Sequence, residues 1–178
     1  MCHPGTRSDA VRSVTVRVKR GDGDLSVSYV LQGELPRLRV PAPTRSRIGE
    51  KLWQHTCFEL FIARRMPAYH EFNFSPSGEW AACAFSRYRD GDGAPFGGDA
   101  LDPRVAVRAG PDRLELDATV QLGSISSAHT AAKLSLALSA VVEELDGRLS
   151  YWALRHPPGQ PDFHHPEAFA LALDEIRH

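Results

Sequence analysis

The sequence predicts an all-β protein, an antiparallel β-sandwich of about ten strands. Apolar and polar residues alternate with a period of two along most of the chain, as in strands that bury one face. Turn-forming residues, many of them among the 14 glycines and 13 prolines, separate these runs at short intervals. A chain of 178 residues can form one domain with a real core. We therefore expect residues 1–12 to be an N-terminal tail and residues 13–178 a single domain.

Each strand is predicted from its own alternation. The run SVTVRV, for example, places Val14, Val16 and Val18 on one face. The predicted strands cover residues 13–19, 24–32, 37–40, 56–63, 69–75, 79–86, 104–109, 113–121, 133–145, 149–155 and 168–173. Asp146-Gly147 is the strongest hairpin signal, and residues 90–98 form a glycine-rich loop. Helix is expected only in short pieces, around residues 126–132 or in the C-terminal DEIRH.

Charge and cysteine content limit the classes of partner and the location that we expect. The formal net charge is -1 and the basic residues are scattered, so we expect neither nucleic acid nor membrane as a partner. The N-terminal residues contain no apolar run typical of a secretory signal. The three cysteines lack metal-type spacing, and nothing in their pattern requires a disulfide framework. A reducing, cytoplasmic location fits best, with Cys57 and Cys83 as small buried side chains.

The sequence lacks the motifs of the common hydrolases, dinucleotide-binding proteins, P-loop proteins and zinc proteases. Three segments are instead dense in aromatic and polar residues, namely residues 52–63, 69–91 and 150–166. Any ligand site is therefore expected where these segments meet.

Acidic and amide side chains occupy two of the predicted strands. Glu59 lies in a strand that is apolar on both faces, so it either anchors an arginine or backbone group or contacts a ligand. Glu71, Asn73 and Ser75 share one strand face, which either binds sugar hydroxyls or is a solvated outer surface. Arg89 follows in the same segment, and its planar guanidinium could pair with Glu59 or Glu71.

The tryptophans and histidines of these segments suggest further contacts. Trp53 and Trp152 are candidate platforms for a ligand ring, whereas Trp80 begins an apolar strand and is assigned to the core. His156 and His164, with Asp162 near them, either bind a metal or form hydrogen bonds to the backbone.

The order of these residues resembles a known family. Trp53, the blocks TCFELF (56–61) and YHEFNFSPSGEW (69–80), Tyr88-Arg89, and the segment from YWAL to DFH (151–164) resemble bacterial DOMON-like domains, which are similar to family-9 carbohydrate-binding modules. The resemblance spans roughly residues 14–173. It implies a sandwich of about ten or eleven strands with a pocket for a sugar or a haem. In the sugar version, Trp53 and Trp152 are ring platforms and Glu71, Asn73 and Arg89 bind hydroxyls.

The combined candidate ligand-binding residues are Trp53, Glu59, Glu71, Asn73, Tyr88, Arg89, Trp152, His156 and His164. No cofactor is expected. Related sugar modules carry acidic residues near a structural calcium where this chain has His-Thr-Cys, so calcium is not expected either. Haem is the alternative, with Met66 and one of His70, His156 or His164 as axial ligands.

The sequence thus predicts a non-catalytic domain that binds a small ligand, a carbohydrate first of all. Three alternatives stay open: a haem-binding domain, a protein-interaction module, and a glycoside-processing enzyme. In the enzyme, Glu59 or Glu71 would pair with Glu143, Glu144 or Asp162.

Overall fold

Two antiparallel sheets pack face to face. The structure, a computed structural model, describes residues 1–90 and 94–176. The strands are β1 (Val11–Arg20), β2 (Asp24–Gly33), β3 (Cys57–Arg65), β4 (Ala68–Phe74), β5 (Trp80–Phe85), β6 (Ala94–Pro95), β7 (Arg104–Ala109), β8 (Arg113–Gln121), β9 (Leu134–Glu143), β10 (Leu149–Ala153) and β11 (Leu171–Leu173). The smaller sheet has the order β1-β2-β8-β7. The larger sheet has the order β10-β9-β3-β4-β5-β6, with β11 also paired to β9. The predicted fold class is confirmed.

In the described part of the chain, helical structure is limited to short pieces. One α-helix, α1, spans Leu122–Ile125. The 3-10 helices are Pro4–Thr6, Leu35–Arg37, Leu52–Gln54, Gly98–Ala100, Ser127–His129 and Pro166–Ala168. Within residues 1–90 and 94–176, no helix has the length and apolar character needed to cross a membrane. The helix predicted in DEIRH is absent over residues 174–176, and its last two residues lie outside the described part of the chain.

The strand predicted over residues 168–173 begins only at Leu171, after a 3-10 helix, and the strand predictions fail outright at two places. Residues 37–40 are not a strand, because the chain there leaves a 3-10 turn containing Pro36, and Leu38 forms only an isolated bridge to Glu144. The two-residue strand β6 was not predicted, since two residues cannot show an alternation. It falls in the loop predicted over residues 90–98, of which residues 91–93 lie outside the described part of the chain.

The predicted hairpin joins β9 to β10. Glu143 pairs with Leu149, and the turn between them places Gly147 at a φ of 87°, a conformation that glycine adopts without steric cost. The Gly147 amide donates to the Glu144 carbonyl at 2.9 Å. This hairpin fixes the register of β10, and therefore which of its side chains face the core.

The main core lies between the two sheets. Phe58, Leu60 and Ile62 of β3 are fully buried there, as their shared parity predicts. Trp80 also packs in this core, as expected. Tyr29 of β2 extends from the smaller sheet, and its hydroxyl donates to the Glu59 carbonyl at 2.6 Å. The two sheets are thus joined by apolar packing and by a hydrogen bond directly beneath Glu59.

The outer face of the larger sheet is also covered. Phe61 and Tyr69 pack there with Phe163 and Ala168 in a second apolar cluster. The latter two belong to the segment after β10, which folds back over the sheet. The expectation that each sheet exposes one face to water is therefore wrong for this sheet, because a late segment without strand periodicity supplies a second layer.

The first ten residues pack along β10. The amide of His3 donates to the Tyr151 carbonyl at 2.7 Å, and Cys2 forms an isolated bridge with Trp152. The segment predicted as a tail thus covers the free edge of β10, and β1 already begins at Val11.

Candidate functional site

A cavity of about 210 Å³ lies on the outer face of the larger sheet. Strands β3, β4, β5 and β9 form its floor, and the segment after β10 forms one wall. The lining residues are Trp53, Glu59, Glu71, Cys83, Phe85, Arg89, Val141, Tyr151, Pro161, Phe163 and His164. Pockets that combine apolar walls with a few placed polar groups are typical ligand sites.

Two carboxylates lie on the cavity floor. Glu59 and Glu71 project from the same face of neighbouring strands β3 and β4, since Glu59 pairs with Asn73, two residues from Glu71. Ser139 of β9 donates its hydroxyl to Glu59 Oε2 at 2.9 Å. Asn73 donates its side-chain amide to Glu71 Oε1 at 2.8 Å. Each carboxylate is thus held in place through one oxygen.

Burial opposes the charge of this pair. Burial, together with the charge of nearby Glu71, raises the pKa of Glu59 from 4.5 to about 8. The hydrogen bond from Ser139 and the charge of Arg89 act in the opposite direction but are smaller. Burial also raises the pKa of Glu71, against the hydrogen bond from Asn73. At neutral pH the pair therefore holds a proton.

Aromatic rings supply the walls. Trp53 lies in the short helix Leu52–Gln54, and 41% of its surface is exposed. Tyr151 reaches the cavity because it shares the outer face of the sheet with its β9 partner Val141. Phe163 comes from the covering segment. The cavity thus combines a polar floor with flat apolar walls.

An ion pair ties two loops together at the mouth of the cavity. Arg89 donates from Nη2 to Asp162 Oδ1 at 2.9 Å, and Tyr88 donates its hydroxyl to Asp162 Oδ2 at 2.6 Å. Arg89 has a φ of 44°, a left-handed conformation that is uncommon outside glycine. The expected pairing of Arg89 with Glu59 or Glu71 is therefore wrong, because Asp162 takes its guanidinium. Tyr88 lies at the rim and is 46% exposed.

His164 is held neutral beside the carboxylates. The Tyr69 hydroxyl accepts the Arg89 amide at 3.3 Å and lies 2.9 Å from His164 Nδ1, so the hydroxyl proton is available to that nitrogen. The ring proton then resides on Nε2, which is 3.9 Å from Glu71 Oε2. Burial and then the charge of Arg89 lower the pKa of His164 to about 4.

Four predicted site residues do not line the cavity, and Tyr88 at its mouth is the first of them. Trp152 faces the core between the sheets and is 7% exposed, with its indole N–H donating to Ser150 at 3.0 Å. Its interpretation as a ring platform is wrong, because strand alternation turns it away from Tyr151. His156 Nε2 lies 3.1 Å from the Met1 carbonyl, outside the lining. Asn73 is buried and orients Glu71.

The structure does not bring His156 and His164 together, as the alternative of a metal site would require. His156 and His164 are engaged separately, by the Met1 carbonyl and the Tyr69 hydroxyl. In the part of the chain that the structure describes, no three His, Cys, Asp or Glu side chains converge as metal ligands would.

The described residues also do not fit a haem held by Met66. Met66 packs against the second apolar cluster and is not part of the cavity lining. His70 points to the opposite face of the sheet, where its ring lies 4.7 Å from that of Phe96. Of the predicted histidine ligands, His164 alone reaches the cavity, so the expected Met and His pair does not face a common space.

Glu143 and Glu144 are not the solvated charges that their position before a turn suggests. Both are more than nine-tenths buried. Glu143 pairs with Arg39 at 3.0 Å and with His55 at 2.7 Å, and Glu144 pairs with Arg148 at 3.1 Å. Neither lines the cavity, so neither forms a carboxylate pair with Glu59 or Glu71.

Several cavity residues were not on the predicted list. Tyr151 and Val141 could have been found from parity, because they share the outer face with Glu59 once β9 and β10 pair. Cys83, expected as a buried side chain, is only partly buried and reaches the cavity. Phe163 carries no such signal, since its position depends on how the covering segment folds back.

Two solved structures share this architecture. A protein from Bacteroides uniformis, provisionally described as carbohydrate-binding, superimposes with a TM-score of 0.65 at 13% identity, over 87% of this chain and 75% of that chain. A family-9 carbohydrate-binding module from Caldicellulosiruptor kristjanssonii, in complex with cellotriose, superimposes with a TM-score of 0.53 at 12% identity, over 87% and 75% of the two chains. The chain has the β-sandwich fold of these proteins. No protein-family model and no curated protein matches its sequence.

Proposed function

We propose that this chain binds a small carbohydrate in the cavity and does so without catalysis. The observation that carries the proposal is the pairing of the Glu59 and Glu71 carboxylates on the floor with the exposed ring of Trp53 at the wall. The fold it shares with a cellotriose-bound module supports the same conclusion. We also propose that it belongs with the DOMON-like domains that residues 56–61 and 69–80 resemble.

The chemistry of the cavity suits a sugar ring. A pyranose presents C–H groups on its faces, which pack on aromatic rings, and hydroxyls on its edge, which donate to carboxylate oxygens. Trp53, Tyr151 and Phe163 offer the first kind of surface, and Glu59 and Glu71 offer the second. A volume of about 210 Å³ suits a single ring better than a long chain.

The placement of the carboxylates argues against glycoside hydrolysis. A glycosidase needs one carboxyl group on each side of the scissile bond. Glu59 and Glu71 project from adjacent strands of one sheet face, so both approach a ligand from below. The third cavity-side carboxylate, Asp162, is engaged by Arg89 and Tyr88.

Titration calorimetry with neutral mono- and disaccharides tests the proposal. We expect saturable binding of at least one sugar to the wild type. We also expect a ligand-dependent change in tryptophan fluorescence that is lost in Trp53→Ala, since Trp80 and Trp152 are buried. Glu34→Gln, a change at an exposed acid, is the matched control.

Failure of every sugar to bind the wild type would refute the proposal. A haemin titration provides a separate arm. A Soret band that survives gel filtration and disappears in Met66→Ala would show that the ligand is haem and not a sugar.

A further inference from the structure

Each buried carboxylate keeps one oxygen free for a ligand. Glu59 Oε2 and Glu71 Oε1 accept hydrogen bonds from Ser139 and Asn73. Among the described residues, no donor lies within hydrogen-bond distance of Glu59 Oε1 or Glu71 Oε2. Glu59 is 3% exposed and the Glu71 side chain 9% exposed, and both face the cavity. Both oxygens open to the cavity, so a bound molecule that supplies donors there gains hydrogen bonds to them.

Among the described residues that line the cavity, Arg89 is the cation near this pair, and its charge acts against the burial that raises the pKa of both carboxyl groups. Arg89 lines the cavity, but its guanidinium is engaged by Asp162 at 2.9 Å. His164 is the nearest basic ring, and its Nε2 is 3.9 Å from Glu71 Oε2, beyond hydrogen-bond distance. A buried acidic pair is ordinarily matched by a cation in direct contact, and no described lysine or arginine side chain makes that contact with Glu59 or Glu71.

Other titratable groups around the pair are neutral at pH 7. From β3 and β5, the Cys57 and Cys83 thiols face the same side of the sheet, and burial raises the pKa of each. From β2, Tyr29 lies beneath Glu59, and from β4, Tyr69 lies beside His164. Burial raises the pKa of both hydroxyls. None of these groups offers a positive charge.

The walls favour a cation as well. An ammonium group has three N–H donors, enough to bond the two free oxygens and one further acceptor. The faces of Trp53, Tyr151 and Phe163 line the same cavity, and aromatic faces attract cations. A neutral hydroxyl has one donor, so it can bond only one of the two free oxygens, and it carries no charge for the aromatic rings to attract.

We propose that the cavity selects a ligand bearing a primary ammonium group, a sugar in which an amine replaces a hydroxyl, and that Glu59 and Glu71 bind that ammonium. This inference rests on the proposed sugar-binding function and narrows its ligand class. N-acylation of the amine removes the charge and two of the donors, so the acylated sugar loses the advantage.

Binding is coupled to proton release. The empty pair holds a proton at neutral pH, because the pKa of Glu59 is about 8. A bound ammonium stabilises the carboxylate form, so the proton leaves as the ligand enters. The affinity for an amino sugar then rises by up to about tenfold per pH unit between pH 5.5 and 7, where the amine itself stays protonated. The affinity for a neutral sugar has no such dependence.

Titration calorimetry with glucosamine, N-acetylglucosamine, glucose and cyclohexylammonium tests this proposal. We expect glucosamine to bind at least about tenfold more tightly than glucose at pH 7, with N-acetylglucosamine no better than glucose. Glu59→Gln and Glu71→Gln keep the side-chain shape and remove the charge, so both should abolish this preference. Glu34→Gln should retain it. Thermal unfolding confirms that each variant is folded.

The outcomes separate the two proposals. Glucose binding as tightly as glucosamine would overturn the ammonium inference and leave sugar binding in place. Cyclohexylammonium binding as tightly as glucosamine would support ammonium recognition and overturn the sugar. Absence of binding by all four probes would overturn both.

Discussion

Replacing Glu59 with glutamine should change how stability depends on pH and should leave stability at low pH nearly unchanged. Glutamine has the shape of a protonated glutamic acid, and its amide oxygen can still accept the hydrogen bond from Ser139. The neutral side chain therefore matches the wild type where Glu59 is protonated in both the folded and the unfolded protein, which is below about pH 4.5. The difference should appear only where the wild-type protein must either hold its proton or bury a charge.

The raised pKa of Glu59 means that the folded protein loses stability as the pH rises. Burial and the charge of Glu71 raise the pKa of Glu59 from 4.5 to about 8 in the folded protein. Between these values the folded protein holds a proton that the unfolded chain has released, so raising the pH favours unfolding. The stabilising contribution is complete below pH 4.5 and is lost by about pH 8. Since one pKa unit corresponds to about 1.4 kcal/mol, the loss amounts to at most about 5 kcal/mol.

Urea unfolding at pH 5, 7 and 9 measures this effect. We expect Glu59→Gln to exceed the wild type by less than about 1 kcal/mol at pH 5 and by several kcal/mol at pH 9, up to the limit of about 5 kcal/mol. Glu34→Gln, at an exposed acid, should follow the wild type throughout. If Glu59→Gln and the wild type lose stability in parallel between pH 5 and 9, then Glu59 is not a buried proton-holding group and the assignment fails.

Three further predictions concern other residues. Trp53→Ala should weaken sugar binding by about 1–2 kcal/mol without lowering the melting temperature, whereas Trp152→Ala should destabilise the fold by about 3–5 kcal/mol. Calorimetry measures the first effect and urea unfolding the second, and the reverse pattern would make Trp152 the ring platform. Asp162→Asn should release Arg89 and weaken binding roughly two- to fivefold, with faster amide hydrogen exchange in residues 155–165; unchanged exchange would contradict this. Burial and then the neighbouring His129 lower the pKa of His70 to about 4, so the wild type should lose stability as the pH falls from 6.5 to 4. In thermal unfolding, His70→Gln should lose less stability over this range, and equal losses in the two proteins would contradict the prediction.

Much of the fold could be predicted because alternation is a local property. Strands β7 and β8 have the bounds predicted for them, and β2 differs by one residue. Each lies in a sheet whose buried face repeats every second residue. The prediction over residues 37–40 failed because a short apolar run next to Pro36 does not distinguish a strand from an extended loop.

Parity also fixed part of the site. Alternation places Cys57, Glu59 and Phe61 on the same face of β3, and the structure shows that this face is the outer one. The same rule applied to β10 separates Trp152 from Tyr151. Trp152 was nevertheless chosen as a platform, because which face of β10 turns inward depends on its pairing with β9.

The sequence by itself determined the fold class, most of the strands and the faces that their side chains share, since these depend on residues one or two positions apart. Tertiary structure decided which of those faces became a site. The carboxylates of Glu59 and Glu71 lie in a cavity because the segment containing Phe163 folds back over the outer face of the larger sheet. Arg89 is engaged by Asp162, 73 residues later in the chain. Contacts over such separations leave no periodic trace, because they arise from the packing of the whole chain.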